Sequence, residues 1–368
     1  MYDYIIVGCG LSGCVLAERL ANVLNKKVLI LDSRHHIGGN CYDYFDNAGI
    51  LVHKYGPHYF RTNMKHVFDY LSQFTEWHYA YYRIKIMVDG MLVPLPINLD
   101  TVNDLFGLRL SSNELKEYFE QQKCHVEKIS NSEDAIISKV GRELYEKIYK
   151  HYTIKQWGLE PKELDPSVCE RVPVRTNRDD RYFSDKYQAM PKYGYHRMFE
   201  KILDSPNISI MLQTEFKAIK NELPFKNIIF TGSIDEYFEY KHGKLPYRSL
   251  HFEHETFFRD FYQSVSQVNY PSDYDFTRVV EIKHATGQIH PYTTIVREYP
   301  TNVGSPYYPV PNQQNEELYQ KYYKEAEQLN NCYFIGRLAQ YRYLNMDQVV
   351  ENALTLFETI KNCSYQMN

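Results

Sequence analysis

YDYIIVGCGLSG, residues 2 to 13, sets the architecture of this chain. Tyr2 to Val7 reads as a buried strand, and Leu11 to Leu24 repeats its apolar residues at helical spacing. KKVLIL then gives a second strand that ends at Asp32. Strand, glycine turn, helix, strand and terminal acid in this order make the βαβ unit that cradles a dinucleotide. Gly8 makes the tight turn, Gly10 lets the backbone approach a pyrophosphate, and Gly13 lets the helix pack on the strand, with Ser12 in the same cofactor-binding turn. Asp32 stands where an acid accepts bonds from a ribose hydroxyl. The next residues, DSRHHIGGN (32 to 40), add a Gly38-Gly39 pair whose missing side chains let a second loop pass close to the cofactor phosphates. That pair favours FAD over a nicotinamide cofactor.

The totals set bounds. A chain of 368 residues is longer than one core usually grows, so two or three lobes with a cleft between them are expected. A net charge of −4 with 24% charged residues gives no global attraction for nucleic acid or an anionic membrane. Seven cysteines without a CxxC pair indicate neither a disulfide framework nor a zinc site, and no metal is expected. With no basic and apolar leader and no window near 18 apolar residues, the expectation is a cytoplasmic protein without a membrane span. The 35 tyrosines, against 19 phenylalanines and 2 tryptophans, suit a polyol or nucleotide cleft, although AT-rich coding produces the same excess.

Residues 79 to 98 read as two strands turning at Asp89-Gly90. NDLFGL, SNELKEYFEQQ, EDAIISKVGRELYEKIYKHYT and KELDPSVCERV, between about 101 and 170, read as helices with Ser, Asn and Asp near their starts. PVRTNRDDRYFSDKY within 171 to 192 is charged and turn-rich, either a mobile loop or a solvated connection. ISIMLQT and NIIFTG are apolar strands able to rejoin the nucleotide sheet, and short antiparallel strands are expected at 250 to 300. The last segment is a strand into Gly336-Arg337, a loop, and a helix from Asn345 with apolar residues at 349, 350, 353, 354, 357 and 360.

No GxSxG or activated cysteine offers a protein nucleophile. Instead arginines stand among tyrosines: RVPVR (171 to 175), FTR (276 to 278) and QYRYLN (340 to 345), with PYYP at 306 to 309. Guanidinium matches phosphate and tyrosine suits sugar or base, so these groups point to a phosphorylated, sugar-containing substrate. Tyr152 and Trp157 in HYTIKQWG (151 to 158) fit either such a pocket or the buried side of a helix.

HKYGPHYFRTN (53 to 63), YTIKQWG (152 to 158), RVPVR, YFSDKYQ (182 to 188), TGSIDEYF (231 to 238), YRSL (247 to 250), FTRVVEIKH (276 to 284), REYP (297 to 300), PYYPV (306 to 310) and GRLAQYRYLNMDQV (336 to 349) closely resemble the bacterial UDP-galactopyranose mutases, in order over nearly the whole chain. The resemblance implies an α/β fold with a discontinuous Rossmann-like FAD-binding domain (1–78, 191–240 and 311–368). An inserted helical domain (99–170) with a mobile loop (171–182) and a twisted antiparallel β-sheet domain (79–98 and 241–310) complete it. It also implies an isomerase, active when FAD is reduced, that interconverts pyranose and furanose forms of a nucleotide-diphosphate sugar without net redox change. In that chemistry flavin N5 forms a sugar adduct and the diphosphate leaves and returns, for cell-surface polysaccharide biosynthesis. Expected partners are the sugar nucleotide, a reductant such as NAD(P)H or a flavin reductase, and a second copy of the chain in a homodimer.

Carried over by motif, Arg171 closes over the diphosphate, Arg278 is the fixed second arginine, and Tyr308 and Tyr343 supply hydroxyls to it. Tyr152 stacks on uracil with Tyr149, Thr153 and Trp157 in the same pocket, while Tyr182, Asn269 and Glu298 are further substrate contacts. His58, Tyr59, Asn40 and Arg337 correspond to flavin neighbours, and Met346, Asp347, Gln348 and Val349 present a helix N-terminus to the flavin's pyrimidine end. The sequence departs from the family pattern at Asn345, where an aspartate is usual, at Arg61, Pro57 and Tyr59 beside His58, and in AYYRIKI (80 to 86). These departures leave open a dTDP-6-deoxyhexose, UDP-GalNAc or an NDP-heptose as the sugar nucleotide. An amine-oxidase-type redox flavoenzyme shares the Gly-Gly fingerprint but gives no role to two arginines.

Overall fold

The computed structural model describes residues 1–220, 222 and 224–366. Its first sheet has five parallel strands in the order Ile208–Met211, Val28–Leu31, Tyr2–Val7, Phe225–Phe230, Cys332–Phe334. The inner strands are apolar on both faces, as helices on each side require: Ile5, Ile6 and all of Val28–Leu31 are buried. Chain order reverses beside Tyr2–Val7, and that switch point puts a crevice outside its carboxyl end, where the glycine turn begins. Helix Leu11–Val23 and helix Met346–Gln366 share one core, with Val15 and Leu16 of the first clustered with Val350, Ala353 and Phe357 of the second.

A seven-stranded sheet stands beside it, ordered Tyr308–Pro309, Tyr247–Phe257, Thr293–Thr301, Arg278–Val280, Gln267–Asn269, Ile84–Val88, Met91–Leu95. It is not wholly antiparallel as expected: Gln267–Asn269 runs parallel to Ile84–Val88. The hairpin Ile84–Val88/Met91–Leu95 turns through Asp89 at φ 50° and Gly90 at φ 76°, the positive pair that matches strand twist. Its strands share a core with the helical segment, Ile86, Val93 and Leu95 packing with Phe119, Ile136, Leu144 and Trp157. Side-chain caps start three helices there: Asn98 for Leu99–Phe106, Ser111 for Ser112–Gln122 and Asn131 for Ser132–Val140. A wide turn over Tyr145–Lys150 leads into helix His151–Trp157, which stops at Gly158 with φ 70°. A small sheet orders Phe60–Thr62, Tyr187–Pro191 and Trp77–Tyr79.

Candidate active site

The glycine turn and the Gly38-Gly39 loop form one cradle. Gly8 has φ 106°, and a Cβ on it would lie 2.0 Å from Thr231 Oγ1. A Cβ on Gly13 would lie 2.1 Å from the Gly8 carbonyl oxygen, so only glycine lets the helix sit this close to the strand. Gly39, at φ 55°, meets Gly10 so closely that a Cβ would come within 2.8 Å of Gly10 Cα. Asp32 ties the two loops together, accepting from Cys9 N–H and Arg34 N–H at 2.8 Å each.

These residues open on a cavity of about 630 Å³ walled by Gly8, Gly10, Ser12, Asp32, Gly38, Gly39, Asn40, His58, Arg337, Met346 and Val349. Its size lies within the usual range of ligand sites, about 300–1,000 Å³. Arg34, which sequence reasoning passed over, lines it too, donates from Nη2 to Asn40 Oδ1 at 2.8 Å and lies over the Tyr55 ring. Four expected cofactor residues stand outside this wall: Gly13, packed under the strand end, and Tyr59, Asp347 and Gln348. Tyr59 packs on Tyr82, 4.2 Å between ring centroids at a tilt of 33°, and lines a second cavity instead. Asp347 is buried and takes the Gln348 N–H at 2.9 Å, and Gln348 Oε1 turns back to the Asn345 N–H at 2.9 Å. Both side chains thus serve the unpaired N–H groups at the helix start.

The second cavity, about 160 Å³, shares Asn40, His58, Tyr307, Arg337 and Met346 with the first, so the two are joined. Arg171, Tyr182, Arg278, Tyr308, Tyr343 and Asn345 line it, together with the unusual Pro57, Tyr59 and Arg61. Arg61 is held by Asp185 at 2.9 Å and over Phe183 at 4.3 Å. Tyr308 and Tyr343 stack at 5.5 Å, and Arg337 lies 5.4 and 5.0 Å from their rings. Arg171, exposed just after the short helix Ser167–Glu170, reaches to 4.6 Å over the Tyr343 ring. Burial acts to raise the Tyr343 pKa, but the guanidiniums of Arg171, Arg337 and Arg278 outweigh it and hold the phenol below its ordinary value. For Tyr308 burial wins over Arg278 and pushes the phenol up to about 12.

Arg278 is aimed by Glu298, its partner across two strands: Nε donates to the carboxylate oxygens at 2.6 and 2.7 Å. Glu298, expected as a substrate contact, is fully buried behind Arg278 instead and forms no part of the wall. Asn269 is likewise buried, accepting from Gln267 Nε2 at 2.8 Å, and Gln267 is the one that lines the cavity. The two residues share one face of the strand, and the Gln267 amide caps the Asn269 carbonyl oxygen. Tyr149, Tyr152, Thr153 and Trp157 stand behind this wall as well. Trp157 packs against Tyr308 and Tyr343 at 6.1 and 6.3 Å, while Tyr152 is pushed up to about 12 by burial and feels Arg278 and Arg171. Tyr149 and Thr153 are buried in the helical core.

His58 sits where the cavities meet. Its backbone N–H donates to His53 Nδ1 at 3.0 Å, its carbonyl accepts from Tyr195 Oη at 2.8 Å, and its Nδ1–H donates to the Gly56 carbonyl at 2.9 Å. Burial pushes its pKa down to about 4, with Arg337, Arg278 and Arg34 adding to the fall. A neutral ring whose Nδ1 carries the proton offers Nε2 as an acceptor.

Fold and site together define a dinucleotide-binding α/β protein whose cofactor crevice opens into a cationic, tyrosine-lined cleft. Residues 6–74 match the model of the NAD(P)-binding Rossmann-like domain and residues 147–343 that of the UDP-galactopyranose mutase family. A probable UDP-galactopyranose mutase of Klebsiella pneumoniae is 41% identical over 359 residues, covering 96% of this chain and 93% of its own. The dTDP-fucopyranose mutase of Escherichia coli is 36% identical over 366 residues, covering 96% and 97%. A crystal structure of reduced UDP-galactopyranose mutase shares the fold with a TM-score of 0.81 at 16% identity, over 99% of this chain and 96% of that one. A putrescine oxidase variant shares it more loosely, at 0.62 and 11% identity over 98% and 99%. The chain belongs to the UDP-galactopyranose mutase family, whose members are isomerases, and membership implies a flavin cofactor. The glycine cradle and its joined cavity fit such a group.

Proposed function

We propose that this protein interconverts the pyranose and furanose forms of a nucleotide-diphosphate sugar, UDP-galactose or a close analogue, using reduced FAD. The observation that carries this reading is the cluster of three guanidiniums, Arg171, Arg278 and Arg337, lining the second cavity with the stacked Tyr308 and Tyr343, Arg171 and Arg337 lying 4.6 and 5.0 Å over the Tyr343 ring. Such a cluster suits a diphosphate that leaves with developing negative charge. Arg278, held from behind by Glu298, keeps a fixed direction, and Arg171 approaches from the loop side. Tyr308 and Tyr343 add hydroxyl donors, Tyr152 and Trp157, which stand behind the wall, are assigned to the base, and His58 Nε2 accepts a sugar hydroxyl. Reduced flavin, when bound, supplies the electron-rich ring nitrogen that serves as nucleophile.

In this reading residues 1–78, 191–240 and 311–368 hold FAD, with Gly8, Gly10, Ser12, Asp32, Gly38, Gly39 and Asn40 along it. Residues 99–170 form the helical domain, 171–182 a mobile loop, and 79–98 with 241–310 the substrate sheet. The protein works in the cytoplasm as a homodimer, reduced by NAD(P)H or a flavin reductase. A dTDP-6-deoxyhexose is the second candidate substrate, favoured by the similarity to the dTDP-fucopyranose mutase and by the altered residues Asn345, Arg61, Pro57 and Tyr59 in the cavity wall. A panel of UDP- and dTDP-linked furanoses offered to the dithionite-reduced protein tests the assignment. One or more should be converted to the pyranose; conversion of none removes it.

A further inference from the structure

Helix His151–Trp157 carries the aromatic groups assigned to the nucleotide base, and two cations outside both cavities hold it. Lys155 Nζ donates to three backbone carbonyls of one loop: Tyr270 at 2.8 Å, Tyr274 at 2.6 Å and Phe276 at 3.2 Å. That loop joins strand Gln267–Asn269 to strand Arg278–Val280, and it turns through Asp273 at φ 69°. Three carbonyls converging on one ammonium are the coordination a bare monovalent cation would receive. Without the charge, their lone pairs face one another at a desolvation cost.

Arg248 grips the helix from its other side. Nε donates to the Gln156 carbonyl at 2.9 Å, Nη2 to the Lys155 carbonyl at 3.2 Å, and Nη1 to Asn302 Oδ1. These carbonyls belong to the last turn, where no helix N–H reaches them and where the helix dipole favours positive charge. Arg248 is only 6% exposed, and among the described residues no carboxylate pairs with it. In the sheet register it stands opposite Tyr308. One cation therefore ties the helix to the loop that delivers Arg278, and the other ties it to the strand pair that delivers Tyr308.

We infer that Lys155 and Arg248 are positioning residues, a two-cation clamp that keeps the base-binding helix in register with the diphosphate-binding strands. A ligand spanning both half-sites benefits from the clamp; a ligand filling one does not. The inference rests on the reading of the cleft given above, yet the clamp itself is testable without it.

The test uses the flavin-loaded protein and its Lys155→Met variant, which keeps the alkyl stem and loses the ammonium. Amide hydrogen exchange should quicken together in 151–158 and 270–276 and stay unchanged in 84–95. UDP should bind about tenfold more weakly, a loss of about 1.4 kcal/mol, while uridine and inorganic pyrophosphate bind as to the parent. Ammonium chloride should restore UDP affinity where tetramethylammonium chloride of equal strength does not. Unchanged exchange in both segments, or equal losses for uridine and UDP, would overturn the clamp. Should Lys155→Met fail to hold flavin, Asn302→Ala, which loosens Arg248 at an exposed residue, carries the same ligand comparison, with exchange expected to quicken in 151–158 and in 247–250. A parent protein that binds neither UDP nor pyrophosphate defeats the reading of the cleft instead, and the paired exchange of 151–158 and 270–276 still decides the clamp.

Discussion

Replacing Glu298 by glutamine removes one charge from a buried pair and keeps its shape. Glu298 is fully buried, and the Arg278 side chain that it holds at 2.6 Å is 19% exposed. Breaking a buried pair costs about 3–5 kcal/mol. Glutamine retains one acceptor oxygen and Arg278 retains some solvent, so the lower end, about 3 kcal/mol, applies. With an unfolding entropy of about 2.1 cal/mol/K per residue, a chain of 368 residues loses about 4 °C in Tm. UDP brings negative charge back to the same guanidinium, so the UDP-induced gain in Tm should be larger in the variant than in the parent. Thermal unfolding followed by flavin fluorescence, with and without UDP, measures both quantities. Equal melting temperatures, or a smaller UDP gain in the variant, would refute the placement of Glu298 as the counter-ion of a diphosphate-binding arginine.

Arg278→Ala should lower turnover about 10²–10³-fold, the usual loss for one preorganised charge-stabilising donor, while the flavin spectrum of the purified protein stays that of the parent. Gly39→Ala should purify with little flavin, since its Cβ would press on Gly10 backbone at 2.8 Å and its φ of 55° disfavours a side chain; the flavin-to-protein absorbance ratio reports it. His58 is held well below the ordinary histidine value, down to about 4, by burial first and by Arg337 and Arg278 next. The unfolded chain thus binds a proton that the folded one refuses, so this contribution is complete above about pH 6.5 and is lost as pH falls towards about 4. Denaturant melts across that window should show a shallower loss of stability in His58→Gln than in the parent.

The parts legible in the sequence are those set by neighbours along the chain. The βαβ turn announces itself because Gly8, Gly10 and Gly13 each answer a steric demand within one dozen residues. Asp89-Gly90 declares a hairpin because both residues adopt positive φ. What stayed hidden depends on distant partners. Three-residue strands such as Gln267–Asn269 carry no signal for parallel or antiparallel pairing, so the parallel contact with Ile84–Val88 could only be seen folded. Glu298 and Asn269 were assigned to substrate by motif, yet both share a sheet face with Arg278 and are engaged there by bonds from Arg278 and from Gln267. Arg248 read as one residue of a motif, and its burial against the end of helix His151–Trp157 arises from strand register 92 positions away.

Turnover of the oxidised and the dithionite-reduced protein, side by side and without air, bears on the whole reading. UDP-galactofuranose, or the best furanose from the panel, is the substrate, product is resolved by chromatography, and the flavin spectrum is recorded throughout. The expected result is pyranose formed by the reduced protein alone, with the flavin still reduced at the end. Equal rates in both redox states, or flavin oxidised in step with product, would contradict it.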